Sequence, residues 1–217
     1  MRKAIIVWGG SRTHEPEECA GIVGEMLGEA GFSVDITGDL GIFGSPHIAE
    51  ADLLVPIVTG ETIEKTHAKA LVEAVRGGLG LGGHHCALAT SFKESPAFHY
   101  VAGVTWVSHP GNIIDYRVNI TRPNDPLMQG IPDFNYRSEQ YYLHYDPSVE
   151  ILATTTFSGE YDEAVRNVVM PVVFKRYFGR GRVFYSALGH VAAEFEHPHM
   201  RTILKRGLSW AARDTHP

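Results

Sequence analysis

Residues 51–86, ADLLVPIVTGETIEKTHAKALVEAVRGGLGLGGHHC, decide the fold. Ala51–Val58, apolar but for Asp52, reads as a strand, and Thr59-Gly60 closes it. Ile63, His67, Ala70, Leu71, Ala74 and Val75 then recur at helical spacing, which predicts a helix over 63–75 with Gly77-Gly78 as its stop. Leu79–Gly83 reads as a further short strand, very rich in glycine. A strand, a helix and a strand in this order form a right-handed βαβ unit with parallel strands.

The same alternation extends towards the N-terminus. Lys3–Trp8 is a short apolar strand. Pro16–Ala30 places Cys19, Ile22, Val23, Met26, Leu27 and Ala30 on one helical face, and Gly31 ends it. Phe32–Thr37 is the next strand. The fold class is therefore α/β: a flavodoxin-like, doubly wound, mostly parallel sheet with helices on both faces. Its ligand crevice lies at the carboxyl ends of the strands, where the loops 9–16 and 83–91 meet.

The second half adds strands at Tyr116–Thr121, Glu150–Thr156 and Pro171–Tyr177. Gly179-Arg180-Gly181 is a hairpin turn into Arg182–Ala187, so extra antiparallel strands are expected here. Pro198 opens a last helix with Met200, Ile203, Leu204, Leu208 and Ala211 inward. Asn119–Phe134 is polar and Pro-rich and reads as a surface excursion. No repeat or linker interrupts the chain, so a single domain over 1–217 is expected.

Composition narrows the class of function. The chain has 217 residues, 44% hydrophobic and 20% charged, which excludes a disordered tail, a collagen-like chain or a coiled coil. Nineteen basic against 25 acidic residues leave a net charge of −6, without the basic footprint that nucleic acid demands. Two cysteines, Cys19 and Cys86, make no disulfide framework and read as reduced thiols. The apolar start is too short for a secretory core, and no run approaches the roughly 20 residues that span a bilayer. A soluble cytoplasmic protein is the expectation.

Twelve histidines are the unusual feature. His84-His85-Cys86 stands at a strand-to-turn junction, where a side chain reaches the mouth of the crevice. A buried histidine bonded to backbone and a small buried thiol are the alternatives there. His14-Glu15 follows the first strand; Glu15, Glu17 and Glu18 suit a helix N-terminus, which leaves His14 unexplained. His190 ends the last strand and faces the same loops if that strand runs parallel to the sheet. His197-Pro198-His199 reads as a solvated helix start. Trp106–Pro110 and Arg137–Tyr142 offer His109, Glu139, Arg137 and aromatic rings, the composition of a sugar pocket or of a packed loop. The phosphate-binding GxxxxGK[ST], HExxH, CxxC and GxSxG motifs are absent from the sequence.

Together these pieces resemble the ThuA-like family, named for a trehalose-utilisation protein. The resemblance rests on Trp8 with His14-Glu15, Gly83-His84-His85-Cys86-Ala87, His109-Pro110, Asp125-Pro126, Gly130-Ile131-Pro132 and Glu139-Gln140-Tyr141-Tyr142. Its most specific stretch runs from Pro171 through Tyr177-Phe178-Gly179-Arg180-Gly181 to Gly189-His190, and Trp210-Ala211-Ala212 closes it. The resemblance implies a fold like that of class I glutamine amidotransferases and a role in sugar metabolism, often beside oxidoreductases that make 3-keto sugars. The family's Gly-Leu-His-Ser-Ala motif places its histidine on His85, its leucine on His84 and its serine on Cys86, so this chain departs at two positions. His85 then takes the place of an amidotransferase's nucleophilic cysteine, which argues against glutaminase activity.

Carried over residue by residue, the expected catalytic set is His14, His85, Glu139 and His190. Trp8, Arg12, His84, His109, Tyr141 and Tyr142 are the expected substrate contacts. Two chemistries suit the set. In one, a histidine or Glu139 removes a proton beside the carbonyl of a sugar or 3-keto glycoside. In the other, His14, His85 and His190 hold a divalent metal such as zinc. An isomerase, lyase or hydrolase follows from either, with a small-molecule sugar as partner and a homodimer as the commonest assembly. The rival is a non-catalytic sugar-binding or regulatory module.

Overall fold

The structure, a computed structural model, describes residues 1–213. The apolar start forms β1 (Arg2–Gly10), whose Ala4–Val7 stretch is buried on both faces of the sheet. Pro16 stands at the first turn of α1 (Pro16–Glu29), which leads to β2 (Phe32–Thr37). After α2 (His47–Glu50) come β3 (Leu53–Thr59), α3 (Lys65–Arg76) and β4 (Gly80–His84). Two short helices, α4 (Cys86–Ala89) and α5 (Pro96–Ala102), precede β5 (Val104–Ser108). Then follow β6 (Ile113–Ile120), β7 (Phe134–Glu139), β8 (Tyr142–Tyr145), β9 (Glu150–Thr156), β10 (Val169–Phe178) and β11 (Gly181–Ser186). The last described helix is α6 (Pro198–Ala211).

Nine strands form one sheet in the order β2-β1-β3-β4-β11-β10-β9-β6-β7, and β5 pairs with β8 apart from it. The first five in this order are mutually parallel, in the flavodoxin-like arrangement expected. β10, β9, β6 and β7 extend it by successive antiparallel pairings. Helices α1 and α6 touch each other over one part of the sheet, and α3 packs with α5. No helix of the described residues is long and apolar enough to cross a membrane.

The inward face of α6 is the one read from the sequence: Met200, Ile203, Leu204, Leu208 and Ala211 are all buried. The α3 face is turned from expectation. Ala68, Leu71, Val72 and Val75 are buried, whereas Ala70 is exposed and Ile63 precedes the helix. The strands β5, β7 and β8 were not predicted. On β7, Phe134, Tyr136 and Ser138 are buried with Asn135 and Arg137 exposed between them, so a serine takes one inward place of the alternation; on β8 the exposed His144 and Tyr145 are adjacent and break it. The excursion over 119–134 is likewise only half right, because Leu127, Met128 and Ile131 are buried beneath it.

The glycines of β4 serve α6. A Cβ on Gly80 would lie 2.2 Å from the Ala211 carbonyl oxygen, so the helix end comes down onto the strand backbone. On the facing side of the contact, a Cβ on Gly207 would stand 2.1 Å from Cζ of Phe184, a fully buried ring on β11. Gly207→Ala is therefore expected to cost about 1–3 kcal/mol through overpacking. Urea unfolding would read this directly, and an unchanged midpoint would refute the contact.

Candidate functional site

β11 runs parallel to β4, with Ser186 opposite His84, so the loops after β1, β4 and β11 share one end of the sheet. Glu139 reaches the same end by another route. Four successive antiparallel steps separate β7 from β11, an even number, so β7 points the same way and its last residue, Glu139, arrives at the crevice.

His85 is the hinge of this arrangement. It follows β4 directly and holds φ 49°, ψ −115°, a conformation costing a side-chain-bearing residue about 1–3 kcal/mol. Three bonds hold it there. Its N–H donates to the Ser186 carbonyl at 2.6 Å, the Tyr185 hydroxyl donates to its carbonyl at 2.7 Å, and its ring Nδ1–H donates to the Ala187 carbonyl at 3.0 Å. A carbonyl only accepts, so Nδ1 carries a proton. In the neutral form of the ring, that leaves the lone pair at Nε2.

That Nε2 is crowded. Tyr141 Oη lies 2.7 Å away, His190 Nδ1 3.0 Å and Glu139 Oε2 3.1 Å. Glu139 Oε2 is also 3.4 Å from His190 Nδ1, and its other oxygen is 3.7 Å from His109 Nε2. The His14 ring stands 4.8 Å from that of His190 and 5.6 Å from that of His85. One ligand atom from each of His14, His85, Glu139 and His190 falls within 4.8 Å of the others. One nitrogen offers either one proton or one lone pair, and so cannot satisfy all three neighbours at once.

Electrostatics separates the members. Burial, with the neighbouring histidines, lowers the His14 pKa to about 4, so this ring is neutral at pH 7. Burial alone would raise Glu139, but hydrogen bonds and charge from His190 and His85 outweigh it and hold the carboxyl well below its usual range. Burial works against a proton on His190, yet the bond and charge of Glu139 raise its pKa overall. The centre is thus a carboxylate among histidines of unequal basicity.

A cavity of about 200 Å³ opens beside it, lined in part by His14, Glu139, His109, Tyr141, Trp106 and Lys93. The Lys93 ammonium lies 3.9 Å from the Trp106 ring centre, and His109 stacks on Tyr141 at 6.2 Å. Trp106 Nε1 and His109 Nδ1 are buried without a hydrogen-bond partner. The expected residues His14, Glu139, His109 and Tyr141 meet at this cavity, and His85 and His190 bond to Glu139 behind it.

Four expected substrate contacts, His84, Trp8, Arg12 and Tyr142, stand elsewhere. His84 ends β4, its Nδ1–H donating to the Gly189 carbonyl at 3.1 Å and its ring packed on Phe195; burial lowers its pKa to about 3. It braces the loop of His190 rather than facing the cavity. Trp8 leans against Gly38 and shares a different groove with Arg12, Glu17 and Glu18. Tyr142 packs against Phe157. Cys86 is buried and its thiol is pushed up to about 12, which removes it as a thiolate nucleophile. Thr59 and Gly60 line the cavity too, and their place at the carboxyl end of a predicted strand was the available signal. Lys93 and Thr90, on the α4–α5 segment, gave none.

Comparison with known proteins agrees with this architecture. The family profile described as trehalose utilisation, ThuA, matches residues 3–211. A ThuA-like protein from Parabacteroides merdae superposes with a TM-score of 0.79 at 20% identity, covering 100% of this chain and 92% of that one. A second, from Bacteroides uniformis, gives 0.78 at 18% identity, with 97% and 91% covered. A β-galactosidase from Bacillus circulans sp. alkalophilus carries the same fold in 31% of its chain, against 98% of this one, at 12% identity and a TM-score of 0.59. No curated protein matches the sequence significantly. Strand order, length of match and structural likeness lead to one conclusion: the chain belongs to the ThuA family of trehalose-utilisation proteins.

Proposed function

We propose that this protein is an enzyme acting on a sugar carbonyl, a 3-keto sugar or glycoside, through a divalent cation such as zinc and the carboxylate of Glu139. The observation that carries this is the crowding at His85 Nε2, with His190 Nδ1 and Glu139 Oε2 at 3.0 and 3.1 Å. The three edges of that triangle, 3.0, 3.1 and 3.4 Å, are close to the about 3.3–3.4 Å between ligands of a tetrahedral zinc with bonds of about 2.0–2.1 Å. A cation at this point satisfies together the groups that a single proton cannot.

His14, His85 and His190 supply the nitrogens. Ala187 fixes the His85 tautomer as an outer carbonyl partner does for a metal-binding imidazole. A cation bound here supplies Lewis-acid polarisation of a carbonyl oxygen. Glu139 turns one oxygen to the histidines and the other towards His109 at the cavity wall, which suits it to take a proton beside that carbonyl. Trp106 and Tyr141 give the aromatic surface, and the unpartnered Trp106 Nε1 and His109 Nδ1 suit a ligand rich in hydroxyls. A pure sugar-binding module has little use for a buried carboxylate among three histidines.

Elemental analysis of protein purified without a histidine tag or chelator is expected to find one ion per chain, lost in His85→Ala and His190→Ala. A wild-type protein that takes up neither zinc, cobalt nor manganese would overturn the metal reading. Glu139→Gln is expected to keep the ion while turnover of 3-keto glycosides falls by about 10²–10⁴. Full activity in that variant would remove Glu139 from the mechanism, and loss of the ion would show that the charge of Oε2 is needed to hold it, so that the fall in turnover would not identify a base.

The metal-free protein carries a pH signature. Folded, His14 and His84 stay neutral down to about 4 and about 3; unfolded, they take protons near about 6.5. Unfolding therefore takes up protons in that window, so stability falls as pH drops from about 6.5 towards about 4. His190, shifted upwards, opposes this as a single group. Thermal midpoints should decline steadily across the window, and a flat profile would contradict neutral, buried rings.

A further inference from the structure

Secondary structure does not hold the segment that carries His190. Two carboxylates do. Glu194 Oε2 accepts the backbone N–H of Gly189 at 3.2 Å and of His190 at 2.9 Å, and the Tyr136 hydroxyl donates to the same oxygen at 2.6 Å. Glu15 Oε2 accepts the N–H of Ala192 at 2.9 Å. The sequence explains Glu15 by the helix dipole, yet its side chain caps no amide of α1, and its backbone is left-handed at φ 46°.

Each carboxylate ties this segment to an element bearing another member of the centre. Glu15 directly follows His14. Tyr136 stands on β7, which ends in Glu139. Burial and the charge of Glu194 hold the Tyr136 phenol far above its usual pKa, so it remains a donor. Bonds to an ionised acceptor are the stronger kind, and here they restrain a loop that has no ladder of its own.

We infer that Glu15 and Glu194 are positioning residues: together they hold the 189–192 segment by its amides and so set where His190 stands relative to His14, His85 and Glu139. The inference rests on the reading of the centre given above. Glu194 touches neither the cavity nor the proposed ion, so it acts through His190.

The test uses the full chain loaded with cobalt(II), whose visible absorption reports coordination geometry. Glu194→Ala is expected to weaken cobalt about 10–100-fold, the usual effect of losing an outer partner of a ligand, and to alter the spectrum. Glu194→Gln keeps one carbonyl acceptor and should recover part of both. Glu15→Ala should act in the same direction, more weakly. A role in folding alone would lower the melting temperature with the cobalt spectrum unchanged, and wild-type affinity and spectrum in Glu194→Ala would overturn the inference. Should Glu194→Ala not fold, Glu194→Gln and Tyr136→Phe carry the same comparison.

Amide exchange in the metal-free protein separates this from the function itself. Glu194→Ala should speed Gly189 and His190 by about tenfold, the factor one lost hydrogen bond corresponds to, and Glu15→Ala should speed Ala192 alone. If the wild type binds no cobalt, the reading of the centre fails while these rates still decide the positioning. Unchanged rates would overturn it.

Discussion

The parallel pairing of β11 with β4 is the constraint on which the rest depends. It joins the doubly wound half of the chain to the antiparallel half and makes the β11 carboxyl end face the same crevice as β1 and β4. It also places the carbonyls of Ser186 and Ala187 where the backbone and ring of His85 can donate to them. Had β11 entered antiparallel to β4, His190 would emerge at the opposite end of the sheet. Glu139, four antiparallel steps further on, would go with it. The direction of one strand therefore fixes whether a centre exists.

Within the centre, what holds the groups together is unequal basicity. Three imidazoles and a carboxylate share a space in which each would lose favourable solvation if ionised alone. The observed compromise keeps His14 neutral, Glu139 ionised and His190 more basic than usual. His85 cannot relax away from this crowd, because Ala187, Ser186 and Tyr185 bind its ring and backbone in a strained turn. Strain of this size persists only where several bonds over-determine it, and it is concentrated at the residue that the other three surround. The neighbouring His84, the last residue of β4, uses its neutral ring to brace the Gly189 carbonyl. Two adjacent histidines thus do separate work: one ends the strand and the other leaves it in a strained turn.

How much of this the sequence carried depended on the kind of force responsible. The parallel half was legible because β1, β3 and β4 are buried on both faces and read as apolar or glycine runs, and α6 because its apolar stripe is regular. The strands β5, β7 and β8 were not: buried Ser138 hides the alternation of β7, adjacent exposed His144 and Tyr145 break that of β8, and their pairing is set by partners distant in sequence. In the site, His14, His85 and His190 could be placed because they follow strands. Glu139 was the weakest placement, as its position depends on the number of antiparallel reversals before it. His84, Trp8, Arg12 and Tyr142 stand away from this cavity although the motifs hold them beside residues that reach it. A motif gives adjacency along the chain, whereas which face a side chain takes is decided by register. Glu194 and Lys93 left no signal, because hydrogen bonds to backbone amides and a cation over a ring require no spacing in sequence.

The elbow after β4 also separates fold from chemistry. The resemblance puts His85 where an amidotransferase-like scaffold would present a thiol, while the neighbouring Cys86 is buried with its thiol far from ionisation. An imidazole stands at that strained position in place of a thiolate nucleophile. It can hold a proton or an ion at one fixed point, and Ala187 selects which nitrogen does so. The β-galactosidase that shares this fold at 12% identity makes the same separation from the other side, since the scaffold recurs there as a third of a larger chain. In this chain Tyr141, His190 and Glu139 converge on one nitrogen of His85, and they outnumber what a single proton can bridge.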